Sequence, residues 1–165
     1  MKKSVFLKAL IILLPIFLLN ACSEGRARIA SAAPELSLRD INGNMVQLSD
    51  FKGKVIILDF FSTSCPPCRQ EIPDFIELQK QYGDKGFVMI GVSLSGLGDV
   101  KPFAEKFGMN YTVLIANSRA AEAYGPIRAI PLTFVIDKDF KIARKYIGYR
   151  PKEVFENDIK ELLSK

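Results

Sequence analysis

Apolar and polar residues in the stretch 34–165 recur with two different periods, which predict strands and helices in turn. Two short stretches of alternating residues flank Asn42 and Gly43, a dipeptide typical of a tight β-hairpin turn. Apolar runs at 55–61 and 87–94 are rich in β-branched and aromatic residues, and they predict two buried strands.

Helical spacing follows each buried strand. The first predicted helix begins at Pro66, since proline is tolerated in a first turn whose amides have no helical partner. It ends near Tyr82, because a glycine follows, and a second helix is predicted over 99–108. The remaining elements are a short strand at 111–116, a short helix at 118–125, a hairpin at 132–149 and an amphipathic helix at 151–165.

The order of these elements is β-hairpin, β, α, β, α, β, α, β, β, α. Buried strands joined by crossover helices predict an α/β domain, in which helices flank a central mixed β-sheet. Ligands and chemistry in such folds belong at the carboxyl ends of parallel strands. Cys65 lies just past the strand predicted at 55–61, and is therefore a candidate for chemistry.

The first 33 residues have a different pattern. A lysine-rich start precedes an apolar run at 9–19, which is shorter than the roughly 17–25 residues that a membrane-spanning helix needs. This combination predicts an export signal peptide at 1–21. The residues that follow are small and polar and lack periodicity, so 22–33 is predicted to be a flexible tether and 34–165 the folded domain.

The residues before Cys22 resemble the lipobox of bacterial lipoproteins, in which the cysteine is lipidated and becomes the mature N-terminus. The protein would then be exported and anchored in the cell envelope by lipid, facing the periplasm or the outer face of the cytoplasmic membrane. Either the inner or the outer membrane fits this segment. An ordinary cleaved signal with a chance cysteine, or an uncleaved anchor, is the alternative.

The amino-acid composition argues against histidine-based chemistry and nucleic-acid binding as functions of this chain. The chain has no histidine, so it lacks both the commonest metal ligand and the commonest general base. The formal net charge of +5 includes three lysines of the predicted signal peptide, which leaves a mildly basic domain. No lysine and arginine cluster with interleaved aromatic residues is present in the sequence, and we expect no nucleic-acid partner.

Two of the three cysteines, Cys65 and Cys68, lie in "LDFFSTSCPPCRQEIPDF", where a predicted strand meets a predicted helix. Free amides and the helix dipole stabilise an anion at a helix N-terminus, so a lowered thiol pKa is expected there. Cys65 is expected to be the more exposed, and hence the attacking nucleophile. Cys68, one turn into the helix, is the expected resolving thiol. In an oxidising compartment this pair predicts a disulfide that is made and broken.

Other readings of the cysteine pair are weaker. A zinc half-site would need two more ligands, and the chain offers no histidine and no further cysteine nearby. A chance pair in the core of an exported protein would not remain inert, because it would oxidise. We therefore expect redox chemistry without a metal or any other cofactor.

The cysteine segment resembles the active site of the thioredoxin superfamily, specifically that of the TlpA/ResA-like membrane-anchored thiol-disulfide oxidoreductases. The resemblance extends over nearly all of 34–165 and includes "PELSLRDINGNMVQLSDFKGK", "GVSL" and "IPLTFVIDKDFKI". It implies a thioredoxin-like fold with an N-terminal β-hairpin. It also implies protein thiols and disulfides as substrates.

The resemblance assigns residues that would hold the partner. Pro131 matches the family's cis-proline opposite the disulfide, and Ile130 would supply a backbone contact to the partner. Without the resemblance, Pro131 would be taken for a proline that merely precedes a strand. Pro66 and Pro67 stiffen the loop between the cysteines and belong to the same expected binding surface.

Two acidic residues are candidates for proton transfer. Asp59 lies within a predicted buried strand, where a carboxylate is costly and its pKa rises. It precedes Cys65 by six residues, as the buried acid of thioredoxin does, and would exchange a proton with Cys68; a structural pair with Lys54 is the alternative. Glu71 occupies the place of a functional glutamate in ResA-like proteins, or else is a surface charge in a first helical turn.

The expected function is reduction of disulfides in exported proteins such as apocytochrome c, with electrons from a membrane donor of the thiol-transporter type. A monomer is expected. Ser64 departs from the family, which usually has tryptophan before the first cysteine, so the rim of the partner groove must differ.

Three other functions are considered on the same fold. An oxidant or isomerase usually carries histidine between the cysteines, and a peroxiredoxin-like thiol peroxidase has a proline upstream of its cysteine; this chain has neither feature. A copper-binding assembly protein has a wider cysteine spacing and a distant histidine, both absent from this sequence.

Overall fold

The computed structural model describes residues 31–165. Within them lie a six-stranded sheet, a separate two-stranded ribbon and four α-helices. The strands are β1 (Ser31–Ala32), β2 (Ser37–Arg39), β3 (Met45–Gln47), β4 (Val55–Phe61), β5 (Phe87–Ser93), β6 (Thr112–Ile115), β7 (Leu132–Ile136) and β8 (Lys141–Ile147), and the helices are α1 (Pro66–Tyr82), α2 (Leu97–Phe107), α3 (Ser118–Ala123) and α4 (Lys152–Leu163).

The large sheet is mixed, as the sequence predicts. Its strands follow the order β1-β8-β7-β4-β5-β6. The pairs β4–β5 and β5–β6 are parallel, whereas β7 runs antiparallel to both β4 and β8. The ribbon β2–β3 is the predicted hairpin, and Gly43 at its turn has a φ of +91°, a conformation that glycine adopts without strain.

Strand β4 lies in the middle of the sheet and is buried along its whole length. Successive side chains of a strand point to opposite faces. Leu58 and Phe60 belong to the core cluster that also contains residues of the ribbon and α3, while Ile57 and Phe61 pack on the face covered by α1, α2 and α4. By the same alternation, Asp59 lies on the face of Ile57 and Phe61.

The folded domain begins earlier than the sequence predicts. Ser31–Ala32 pairs with the start of β8, and the amide of Ala33 donates to the carbonyl of Phe140 at 2.9 Å. Residues 31–33 were predicted to be tether because they are small, but backbone pairing to an edge strand needs no apolar pattern. The predicted signal peptide at 1–21, Cys22 and the tether up to residue 30 lie outside the described residues.

Across residues 31–165, none of the helices has both the length and the apolarity needed to cross a membrane.

Candidate active site

The Cys65–Cys68 disulfide lies where β4 ends and α1 begins. Cys65 is the N-cap residue of α1, and the backbone N–H of Cys68 donates to its Sγ at 3.3 Å. Cys65 is half-buried, whereas Cys68 is only 2% exposed. A partner can therefore reach the sulfur of Cys65 more easily, as the sequence predicts, and the order of attack stays a prediction.

The peptide bond between Ile130 and Pro131 is cis, as the resemblance implies. The carbonyl oxygen of Ile130 lies 3.8 Å from Sγ of Cys65, so this loop faces the accessible sulfur. Directly after β8, the N–H of Gly148 donates to the carbonyl of Pro131 at 2.8 Å and holds the loop in place.

The two prolines between the cysteines form the first turn of α1, at the same end of the sheet as the cis-proline loop. Pro66 is exposed and Pro67 is half-buried. The role of these prolines and of the cis-proline loop in holding a partner stays a prediction.

Hydroxyl groups take the place of the tryptophan that the family usually has. Ser64 Oγ lies 3.0 Å from Ser62 Oγ, which lies 3.1 Å from Ser95 Oγ. Ser95 Oγ also accepts the backbone N–H of Thr63 at 3.1 Å. These contacts tie the loop before Cys65 to the segment after β5. Sequence reasoning did not find Ser95, although the run of three hydroxyl residues at 62–64 was a signal for such a network.

Asp59 is buried, with 4% of its surface exposed. Its Oδ1 accepts a hydrogen bond from Oγ1 of Thr133 at 3.0 Å. Burial raises the pKa of Asp59 to about 7, and the hydrogen bond from Thr133 acts in the opposite direction. The suggested pair with Lys54 is wrong, because Lys54 is exposed at the end of the preceding turn and the partner of Asp59 is a hydroxyl on β7.

Glu71 is fully buried on α1, so its alternative assignment as a surface charge is wrong. Its Oε1 accepts the backbone N–H of Arg150 at 2.7 Å, and its Oε2 has no hydrogen-bond partner within residues 31–165. Burial and, next, the negative charge of Asp59 raise the pKa of Glu71 to about 8, while the hydrogen bond from Arg150 and its positive charge act in the opposite direction. The helical pattern could not reveal this burial, because the loop before α4 covers the first turns of α1.

The two acids and the resolving cysteine share one face of the sheet. Glu71 follows Cys68 by three residues on α1, a spacing that places two side chains side by side. Both are buried, and Asp59 is close enough for its charge to act on Glu71. A carboxyl that titrates near neutral pH can accept a thiol proton and return it.

Two more residues of this face were missed by sequence reasoning. Gly91 on β5 is opposite Asp59 in the parallel register, and a Cβ at Gly91 would lie 3.0 Å from Cε1 of Phe61 and 3.4 Å from Cε2 of Tyr111. Burial raises the pKa of Tyr111 well above its usual value, and the charges of Asp59 and Glu71 add to this effect. The single glycine in the apolar run "FVMIGVSL" was the available signal.

No group of three histidine, cysteine, aspartate or glutamate side chains is arranged to hold a metal ion in the part of the chain that the structure describes.

Comparisons with known proteins agree with this geometry. Residues 29–145 match the AhpC/TSA family. Thiol-disulfide oxidoreductase ResA of Bacillus anthracis is 31% identical over 138 residues, which cover 83% of this chain and 80% of the relative. The ResA protein of Geobacillus thermodenitrificans is 34% identical over 137 residues, which cover 82% of this chain and 76% of the relative.

Solved structures agree as well. The crystal structure of a thiol:disulfide interchange protein of the thioredoxin family from Chlorobium tepidum is 35% identical, with a TM-score of 0.75, and the match covers 83% of this chain and 98% of that one. An exposed lipoprotein thioredoxin from Streptococcus pneumoniae is 30% identical, with a TM-score of 0.68, and the match covers 78% and 99%. The thioredoxin-like fold predicted from the sequence is thereby confirmed.

Proposed function

We propose a direction and a location for the activity of this chain, which belongs to the ResA-like thiol-disulfide oxidoreductases of the thioredoxin superfamily. In this proposal the protein reduces disulfides of exported proteins, including apocytochrome c. A membrane donor of the thiol-transporter type returns the pair to its reduced state, and the chain acts as a monomer.

The reaction proceeds in two exchanges. The thiolate of Cys65 attacks one sulfur of the substrate disulfide, forms a mixed disulfide with it, and releases the other substrate sulfur as a thiolate. Cys68 then gives its proton to the carboxyl pair of Asp59 and Glu71. Its thiolate attacks Sγ of Cys65, the mixed disulfide breaks, the Cys65–Cys68 disulfide forms, and the second substrate sulfur leaves as a thiolate that can take the proton held by the carboxyl pair. Two electrons have passed from the pair to the substrate.

One observation supports the reducing direction above the others. Two buried carboxyls lie behind Cys68, and burial raises the pKa values of Asp59 and Glu71 to about 7 and about 8. Negative charge at this place opposes the thiolate in the reduced form. A strong oxidant requires a stabilised reduced form, so a nearby acid pair favours the disulfide and a low potential.

The location rests on the sequence pattern at 1–21 and on Cys22. We propose that Cys22 carries the lipid and that the domain faces the periplasm or the outer face of the cytoplasmic membrane. The similarity to an exposed lipoprotein thioredoxin supports an anchored arrangement. Replacing Cys22 by serine should release the protein from the membrane fraction and abolish incorporation of a radiolabelled fatty acid. Retention of both would contradict the anchor.

The reduction potential of the Cys65–Cys68 pair tests the direction. The full chain in detergent is equilibrated in graded thiol and disulfide buffers, and trapped thiols are counted by mass. A potential near or below that of thioredoxin, about −270 mV, is expected for a reductant. A potential near about −120 mV would identify a disulfide donor and overturn the proposal. Rapid consumption of hydrogen peroxide would instead favour the thiol peroxidase.

A further inference from the structure

The two neighbours of Asp59 in the sheet differ sharply. On β5, Gly91 offers no side chain, and the space above it is occupied by the rings of Phe61 and Tyr111. On β7, Thr133 is directly opposite Asp59 in the antiparallel register. The hydroxyl of Thr133 is the one hydrogen-bond donor to the Asp59 carboxyl within residues 31–165, at 3.0 Å.

The position of Thr133 restricts what its hydroxyl can do. The side chain is fully buried, so the hydroxyl cannot turn toward solvent. A buried hydroxyl needs a partner, and a hydrogen bond to a charged oxygen is stronger than one to a neutral group. Thr133 also follows Pro131 by two residues, and Ile130 in the same loop lies 3.8 Å from Sγ of Cys65. It therefore connects the loop that faces the disulfide with the acid behind it.

We propose that Thr133 is a positioning residue for the resolving exchange: its hydroxyl orients the Asp59 carboxyl and stabilises the ionised form that accepts the proton of Cys68. Thr133 acts through Asp59 and touches neither sulfur. This inference rests on the proposed function, since it assigns a part in the second exchange described above.

Other groups face the same carboxyl. Glu71 on α1 is close enough to couple with Asp59; the backbone N–H of Arg150 donates to it, and the positive charge of Arg150 lowers its pKa. Tyr111 faces both acids and remains a neutral phenol, because burial and their charges raise its pKa well above the usual value. Asp74 contributes a further negative charge at Glu71. A pH profile of the resolving exchange therefore reports the coupled pair of acids, with Thr133 acting on one member.

The sign of the expected effect follows from the hydrogen bond. The bond lowers the pKa of Asp59, so its removal raises that pKa. The carboxyl must be ionised to accept a proton, so the rate of the resolving exchange rises as pH increases through its pKa. Removing the Thr133 hydroxyl should therefore move the whole profile toward higher pH.

The experiment isolates the two exchanges with an aromatic disulfide that releases a coloured thiolate. Full-length protein carrying Cys22→Ser, in detergent and fully reduced, is mixed with 5,5′-dithiobis(2-nitrobenzoate) in a stopped-flow instrument. The first coloured thiolate appears when Cys65 attacks, and the second when Cys68 closes the disulfide. Rates of both phases are measured across the neutral pH range for wild type and Thr133→Val, which has the same shape without the hydroxyl.

We expect Thr133→Val to shift the midpoint of the second phase upward by about one pH unit, the effect of a hydrogen bond to a charged group. On the acid side this is about a tenfold lower rate. The first phase should not change. Thr133→Ser should restore the wild-type profile, and Thr112→Val on β6 serves as a control that removes a threonine hydroxyl elsewhere in the sheet.

Superimposable second-phase profiles for wild type and a folded Thr133→Val protein would overturn the inference, as would a failure of Thr133→Ser to restore a shifted profile. Circular dichroism establishes folding. If Thr133→Val does not fold, Thr133→Ala takes its place, because it removes the hydroxyl without adding an apolar branch. Failure of the proposed function is a separate result, because it would appear in the reduction potential of the wild-type pair, as described above, and not in the second phase.

Discussion

Two buried clusters of charge lie on the same side of the sheet and are built in opposite ways. Between β8 and α4, Arg144 is 5% exposed and lies 2.9 Å from Oε2 of Glu161 and 3.7 Å from Oδ1 of Asp158. Behind the disulfide, Asp59 and Glu71 are equally buried but have only a hydroxyl and a backbone N–H as hydrogen-bond partners within residues 31–165.

The difference separates a structural cluster from a reactive one. A buried charge that faces an opposite charge is compensated at every pH at which both are ionised. A buried acid that forms no ion pair is most stable when it is protonated, so burial moves its pKa into the neutral range, and the charge of Arg150 offsets this only in part at Glu71. The cluster around Arg144 stabilises the packing of α4 on the sheet. The pair of Asp59 and Glu71 can instead hold a proton close to the resolving cysteine.

Breaking the structural cluster should have the largest effect on stability. Replacing Arg144 by methionine removes the cation that Asp158 and Glu161 face, and should lower the free energy of unfolding by about 3–5 kcal/mol. Urea unfolding at pH 7 measures the change, with Lys141→Ala on the same strand as the control, since its pair with Asp139 is exposed. Equal losses for both variants would contradict the contrast between the clusters.

The pH dependence of the free energy of unfolding should distinguish the pair of Asp59 and Glu71 from the cluster around Arg144. Burial raises the pKa of Asp59 from 3.8 to about 7. The folded protein therefore binds this proton more tightly, and the stability it contributes is complete below about pH 4 and is lost as pH rises to about 7. Asp59→Asn should thus be more stable than wild type above pH 7, by about 2–4 kcal/mol, but not at pH 4. Denaturant unfolding at the two pH values measures this, and a difference independent of pH would contradict it.

The second acid should affect rate more than stability. Glu71→Gln keeps an acceptor for the backbone N–H of Arg150 but cannot take a proton. The resolving exchange should slow by about 10- to 100-fold, since general-base assistance is lost and Asp59 remains. The second coloured phase in the stopped-flow reaction measures this. An unchanged second phase would leave proton transfer to Asp59 alone.

A substitution at Gly91, the neighbour of Asp59 on β5, should have the smallest effect on stability. Gly91→Ala places a Cβ 3.0 Å from Cε1 of Phe61, which forces the rings above Asp59 to shift. We expect a loss of about 1–2 kcal/mol in the free energy of unfolding, as in other overpacked cores. Ala104→Gly on α2 is a useful contrast, because it removes rather than adds a buried methyl group. A Gly91→Ala protein as stable as wild type would mean that the rings are not tightly packed.

Most of the helices and strands could be predicted from hydrophobic periodicity, because each depends on residues that are close together in the chain. The apolar run that became β4 and the helix starting at Pro66 lie where the sequence places them. The edge strand Ser31–Ala32 could not be predicted, since its pairing is made by backbone groups and its side chains are exposed. For the site, the cysteine spacing was sufficient to locate the disulfide, but the sequence left two readings each for Asp59 and Glu71.

The sequence by itself determined the element order, the cysteine pair at a helix start and the presence of an acid in a buried strand. These features depend on residues that are close in the chain. Only the tertiary structure decided what surrounds the acids: Thr133 lies 74 positions from Asp59, and Arg150 lies 79 positions from Glu71. Burial and the charges of distant residues set a carboxyl pKa, so the proton chemistry of this site emerges only when β4, β7 and α1 meet.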